Sequence, residues 1–209
     1  MTGSNIVVRR AGRLALALAA CAALIPAGTA ARAASPDTPK FGPLIEDYAD
    51  YQGQERCRPK PKPGVVGFRK LVMATYPRTG DYGISRDCSI GGQSEHKEGR
   101  AWDWAVDGTT KAGRRTARQL LQWLFATDSH ENRHANFRRL GIMYIQWRRR
   151  IWGAWDPGWE RYCVATPRGC RDTDSKAILN PHLDHVHFSF GWPGARKQTS
   201  FWNPELSRS

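Results

Sequence analysis

The 209-residue sequence contains no Cys-x-x-Cys pair, no internal repeat, no zincin-like pairing of acid and histidine, and few acidic residues. Each shortage narrows the function. Without closely paired thiolates, the cysteines do not read as a structural zinc site. Without a repeat or a second domain-sized signal, the chain reads as one domain. Its longest apolar run, Leu14 to Ile25, is too short to span a bilayer. Against 19 Asp and Glu stand 32 Lys and Arg, a formal charge of +13, so anionic partners are favoured.

What is present begins with an export signal. Arg9, Arg10 and Arg13 precede the apolar run, and Ala31-Arg32-Ala33 offers the small residues that a signal peptidase reads, so residues 1–33 form a signal peptide cut after Ala33. Leu18-Ala19-Ala20-Cys21 gives a second reading, a lipoprotein box with an acylated Cys21. It ranks below the first because Ala22 to Ile25 would make a poor hydrophilic tether. Arg9-Arg10 also hints at twin-arginine export. Cleavage removes four arginines and no acid, leaving +9. For an exported chain, the polyanions of a cell wall fit that charge better than nucleic acid, which is not expected as a partner. No transmembrane segment is expected, and the chain reads as a monomer.

Four cysteines remain, Cys57, Cys88, Cys163 and Cys170, and an even number in an exported protein reads as disulfides. Three connectivities are possible. Cys57–Cys88 with Cys163–Cys170 is favoured, the first fastening the start of the domain beside the loop that leads to His96. Residues 34–56 read as an N-terminal arm, the prolines of Arg58 to Pro63 as a stiff extended spacer, 57–204 as the folded domain and 205–209 as a tail.

Apolar positions from Val65 to Tyr76 recur at helical spacing until Pro77 ends the run. Arg78 to Gly92, rich in Gly, Asp and Ser, reads as loop. Thr116 to Thr127 reads as a helix capped by Thr116, and Asp128 to Leu140 as another that ends at Gly141. His130 and His134, four apart on that second stretch, lie among Arg133, Arg138 and Arg139 and read as a basic solvated face. Ile142 to Trp147 alternates as a strand, leading to a bend or hairpin. Six of nine tryptophans lie between Trp123 and Trp192; most are assigned to the core, with Trp155 and Trp159 exposed in a loop.

Chemistry concentrates in three strings. Arg100 to Val106 alternates so that Trp102, Trp104 and Val106 share the core face while Asp103 stands between Ala101 and Ala105, with room beside its carboxylate. His96 lies seven residues earlier, and Gly99 lets the chain turn so that imidazole and carboxylate converge. On the strand His185 to Phe190, His185, His187 and Ser189 share a face opposite Val186, Phe188 and Phe190. Two imidazoles and a carboxylate with a position left open to water suit hydrolytic zinc. Ser94 reads as a hydrogen-bonding support for the loop of His96.

Ser94-x-His96-x-x-Gly99-x-Ala101-x-Asp103 resembles the S-x-H-x-x-G-x-A-x-D signature of the zinc D-alanyl-D-alanine peptidases. His185-x-His187 resembles the closing motif of the wider superfamily that includes lysostaphin-type endopeptidases and the hedgehog signalling domain. The resemblance covers roughly Cys57 to Trp202, with Gly141 to Trp152 and the last strand also similar to a branch of actinobacterial secreted proteins. It implies a small α+β domain whose central antiparallel sheet carries the metal between flanking helices, with Zn2+ held by His96, Asp103 and His187. The implied activity is a secreted peptidase hydrolysing an amide bond in peptidoglycan stem peptides, as carboxypeptidase or endopeptidase. Carboxypeptidases of this group often place a glutamate three residues before the last ligand; here Asp184 stands there, as in phage-type L-alanyl-D-glutamate endopeptidases. Asp184 and His185 are therefore rival candidates for the general base. Arg86 and Arg100 are candidates for steadying the oxyanion or a substrate carboxylate. A non-catalytic zinc-binding wall module and a secreted metal-dependent nuclease are the alternatives.

Overall fold

The two alternating strings come together as neighbouring strands. The computed structural model describes residues 34–162, 164–166, 169–171 and 181–208, with backbone alone for 164–166 and 169–171. The expected signal peptide, Cys21 and the Cys163–Cys170 pairing lie outside the described residues. In chain order the elements are α1 (Pro63–Thr75), β1 (Gly80–Gly83), β2 (Ala101–Ala105), α2 (Lys111–Phe125), α3 (Ala135–Arg139), β3 (Ile142–Trp147), β4 (Arg150–Gly153), β5 (Asp156–Arg161), β6 (Val164–Thr166), β7 (Gly169–Arg171), β8 (His185–Phe190) and α4 (Trp192–Ala195). A six-stranded antiparallel sheet has the order β1-β2-β8-β3-β4-β5, and β6 and β7 form a separate two-stranded ribbon. The fold is the expected small α+β domain.

β8 lies inside the sheet, paired with β2 and β3, and every residue of it is buried. On its core face Val186 and Phe188 stand opposite Trp104 and Trp102. Phe68 of α1 closes that face, 5.1 Å from the Phe188 ring and 5.8 Å from Trp102. Burying a side chain of this size stabilises the fold by about 2–3 kcal/mol. Farther along the sheet, Phe125 of α2 and Phe137 of α3 meet Trp152 at 4.7 and 4.4 Å. Both helices thus lie on the tryptophan side of the sheet and leave the histidine side to the site.

Several local expectations need correction. The helix expected to start at Thr116 begins at Lys111, where the Thr110 hydroxyl accepts the Gly113 N–H at 3.0 Å; Thr116 instead bonds back to the Ala112 carbonyl. Its first turn is polar, so hydrophobic spacing alone starts the helix too late. The stretch 78–92 contains β1. Residues from Asp128 to His134 make a turn in which the Asp128 carboxylate accepts the N–H groups of His130 and Asn132, so only Ala135–Arg139 is helical. Trp159 lies half-buried on β5, not in a loop.

The N-terminal arm lacks regular structure but is pinned to the domain. Gly42 and Leu44 bond Ser207, Glu46 accepts from Ser200, and buried Arg139 donates to the Gly42 and Leu44 carbonyls. The proline-rich stretch that reads as a spacer is docked as well. Arg58 donates to the Lys97 carbonyl and Lys62 to that of Gly99, at 2.7 and 3.0 Å. Cys57 and Cys88 are joined as expected. Among the described residues no helix is long and apolar enough to cross a membrane.

Candidate metal centre

Cross-strand register sets two of the three ligands side by side. Asp103 on β2 is directly opposite His187 on β8, with Ala101 opposite Ser189 and Ala105 opposite His185. The small alanines flank the carboxylate as the alternation requires. The third ligand comes from a single 3-10 turn, Glu95–Glu98, that Gly99 ends at φ +66. A side chain at Gly99 would also strike the Lys60 carbonyl. That left-handed residue turns the chain from His96 directly into β2.

The ligand atoms meet at close range. His187 Nδ1 is 2.8 Å from Asp103 Oδ1, His96 Nε2 is 3.2 Å from Asp103 Oδ2, and the two ring nitrogens are 3.3 Å apart. The rings' other nitrogens determine the tautomers. His96 Nδ1 lies 2.8 Å from the Ile84 carbonyl, which can only accept, so Nδ1 carries the proton and Nε2 offers a lone pair. His187 Nε2 lies 3.0 Å from Ser189 Oγ, whose own proton goes to Glu95 Oε2 at 3.3 Å; Ser189 therefore accepts from His187. Nδ1 is left with its lone pair facing Asp103. Two lone pairs and a carboxylate converge on one point, and such a donor set suits a cation. His96, Asp103 and His187 accordingly form a group able to hold a metal ion.

The electrostatics agree with ligand forms of Asp103 and His187. Burial pushes the Asp103 carboxyl up, but its contacts with His187 and His96 outweigh burial and hold it well below the usual carboxylate range. Burial lowers the pKa of His187 despite Asp103, so its ring is neutral at neutral pH. The imidazoles are almost wholly buried, whereas the Asp103 side chain is 16 % exposed. Solvent reaches the centre from the aspartate side.

A buried framework missed by sequence reasoning supports His187. The Tyr144 ring stacks on the imidazole at 5.4 Å and 21°, and its hydroxyl donates to Glu95 Oε2 at 2.6 Å. Burial, followed by the charge of Glu95, keeps that hydroxyl protonated far above the ordinary tyrosine range. Glu95 stood in the Ser94-Glu95-His96 string, but nothing in the string tells that its side chain turns inward to Ser189. His182, buried with its ring 4.8 Å from His185 and 5.6 Å from His187, was also missed. The run His182-x-x-His185-x-His187 carried that signal.

The other named residues separate by position. His185 is buried, its Nε2 3.8 Å from Asp103 Oδ1 and its Nδ1 2.8 Å from Asp184 Oδ1. Asp184 precedes β8 and is 66 % exposed, so it touches the centre through His185. Arg86 joins the His96 loop through its backbone, donating to the His96 carbonyl at 3.3 Å. Ser94 opens the 3-10 turn with its carbonyl accepting from Lys97, while Gln54 accepts its N–H; its hydroxyl makes no cap bond. Arg100 is no oxyanion partner. It is fully buried against Glu98, the Phe190 and Gln52 carbonyls and the Trp192 ring. His130 and His134 do not form a chelating pair: His134 bonds Tyr48 and His130 the Phe41 carbonyl.

Among families of known proteins, the model described as VldE, C-terminal domain, matches residues 57–172. The match takes in His96, Asp103 and Tyr144 and ends before β8. No curated protein and no solved structure matches the chain.

Proposed function

The chain belongs to the VldE C-terminal domain family, and from the donor set within it we propose a secreted zinc-dependent peptidase that hydrolyses an amide bond in peptidoglycan stem peptides. The observation that carries this reading is the convergence of His96 Nε2, His187 Nδ1 and the Asp103 carboxylate, with both outer ring nitrogens fixed by hydrogen bonds. Two nitrogens and one oxygen on a partly open centre match zinc in hydrolytic sites better than calcium or magnesium, which take oxygen ligands. When bound, zinc supplies Lewis acidity for a scissile carbonyl and makes water acidic near neutrality.

The chain's own groups account for the rest. His185 donates from Nδ1 to Asp184, which directs Nε2 toward the centre as the base that takes a proton from water and returns it to the leaving amine. Asp184 orients that ring, as an exposed carboxylate one position off the strand face can. The Cys57–Cys88 disulfide suits an oxidising compartment, and the basic surface suits an anionic wall.

Zinc-loaded protein is expected to release muropeptides from purified peptidoglycan, and chelation to stop the release. His96→Ala, Asp103→Ala and His187→Ala should each lower bound zinc. Failure of fully loaded protein to cut peptidoglycan overturns the peptidase reading. Plasmid nicking in the same preparation would put a nuclease in its place, and inactivity on both would leave a metal-binding wall module.

A further inference from the structure

Large apolar side chains are exposed at six described positions, Leu44, Tyr51, Tyr82, Ile90, Trp155 and Leu206. The three aromatic ones all gather at the metal centre. Tyr82 on β1 reaches the His185 ring at 5.8 Å. Tyr51 and Trp155 extend the stack on the other flank: His187 lies on Tyr144, Tyr144 is 6.1 Å from Trp155, and Trp155 meets Tyr51 edge-on at 5.3 Å. Tyr51 is 57 % and Trp155 47 % exposed, so a continuous aromatic wall runs from the ligand ring to solvent.

The Trp155 ring and the backbone beside Tyr51 are held in place. The Trp155 indole lies over Gly153, where a Cβ would stand 2.6 Å from ring atoms. Next to Tyr51, Gln52 donates its N–H to the Met143 sulfur, accepts from Arg100 on its carbonyl and from the Trp192 N–H on its side chain. Pre-ordered aromatic faces bind with little loss of conformational freedom. An exposed patch of this kind, contiguous with a site, marks a ligand surface.

We propose that Tyr51 and Trp155 form a saccharide subsite, stacking an amino-sugar ring carried by the substrate beside the scissile amide. The geometry selects the ligand. A pyranose offers an apolar C–H face to an aromatic ring while its hydroxyl and acetamido groups stay in water, which suits half-exposed Trp and Tyr at a rim. A cationic group is a poor fit, because Tyr51, Tyr144 and Trp155 touch one another and leave no cage between them, and the chain is strongly basic.

The subsite rests on the peptidase reading for its place next to the amide, but binding tests it apart from turnover. The probes are a soluble tetramer of β-1,4-linked N-acetylglucosamine and a sugar-free stem peptide, titrated calorimetrically into zinc-loaded and into chelated protein. The tetramer is expected to bind both forms. Trp155→Ala and Tyr51→Ala should each weaken it at least tenfold with one equivalent of zinc retained, and Trp155→Phe should recover most of the affinity. No saturable binding to the wild type, or equal binding by Trp155→Ala, overturns the subsite even if the stem peptide is cut. Tetramer binding without any amide hydrolysis overturns the peptidase reading and leaves the subsite standing.

Discussion

Ser189 decides which nitrogen His187 offers. Its hydroxyl accepts from Nε2 and donates to Glu95, so Nδ1 alone faces Asp103. Ser189→Ala removes the acceptor and frees the other tautomer, and metal affinity is expected to fall about 10–100-fold, as it does when such supporting bonds are lost elsewhere. Competition with a chromogenic zinc chelator measures the change; unaltered affinity would sink the tautomer argument. His185 and Asp184 test the proton instead of the metal. Both His185→Ala and Asp184→Ala should keep a full equivalent of zinc, with kcat lowered about 10²–10⁴-fold for His185 and less for Asp184, in line with a positioned base and its orienting partner. A larger loss at Asp184 would reverse their roles. Of the three candidate ligands, Asp103 and His187 were legible because strand alternation fixes which side chains share a face, and His96, which lies in a 3-10 turn, through the spacing of its motif to Gly99 and Asp103. Glu95 and Tyr144 were not, because their roles depend on contacts across 49 residues of chain.

Elements were legible where one hydrophobic period governs them and obscure where hydrogen bonds do. α1 and β2 each bury one clear apolar face, β8 alternates apolar with polar side chains although all of it is buried, and all three lie close to their expected bounds. β1 is four residues long with a glycine at each end, and the arm 34–56 is held by carbonyls and side chains with no periodic pattern, so neither leaves a trace in hydropathy. The turn into β2 is the element on which the centre depends most. Gly99→Ala forces a Cβ into the left-handed region and against the Lys60 carbonyl, and should cost roughly 1–3 kcal/mol. Because the strain falls between His96 and Asp103, zinc affinity should drop along with the urea midpoint. A variant that loses stability but binds zinc as tightly as the wild type would show that the turn does not set the ligand geometry.

Across the whole molecule, Arg139 ties together segments that are far apart in sequence. Fully buried, it donates to Gly42, Leu44, Ser200 and Asp128 and lies over the Phe41 ring, joining the arm, the C-terminal segment and the turn before α3. Its one carboxylate partner titrates. Burial pushes Asp128 up, but the bonds from Arg139 and Asn132 outweigh it and hold the carboxyl below its ordinary value. A carboxyl with a folded pKa below its unfolded one, about 3.9, contributes stability above that value and loses it as pH falls through the folded pKa. Asp128→Asn is expected to cost about 1–3 kcal/mol at neutral pH by leaving the buried guanidinium with a neutral partner. Urea denaturation of both proteins from pH 7 downward gives the check. The gap between them should hold to about pH 4 and narrow below it. A gap that stays constant down to the acid transition would mean that Asp128 contributes through the shape of its turn and not through its charge.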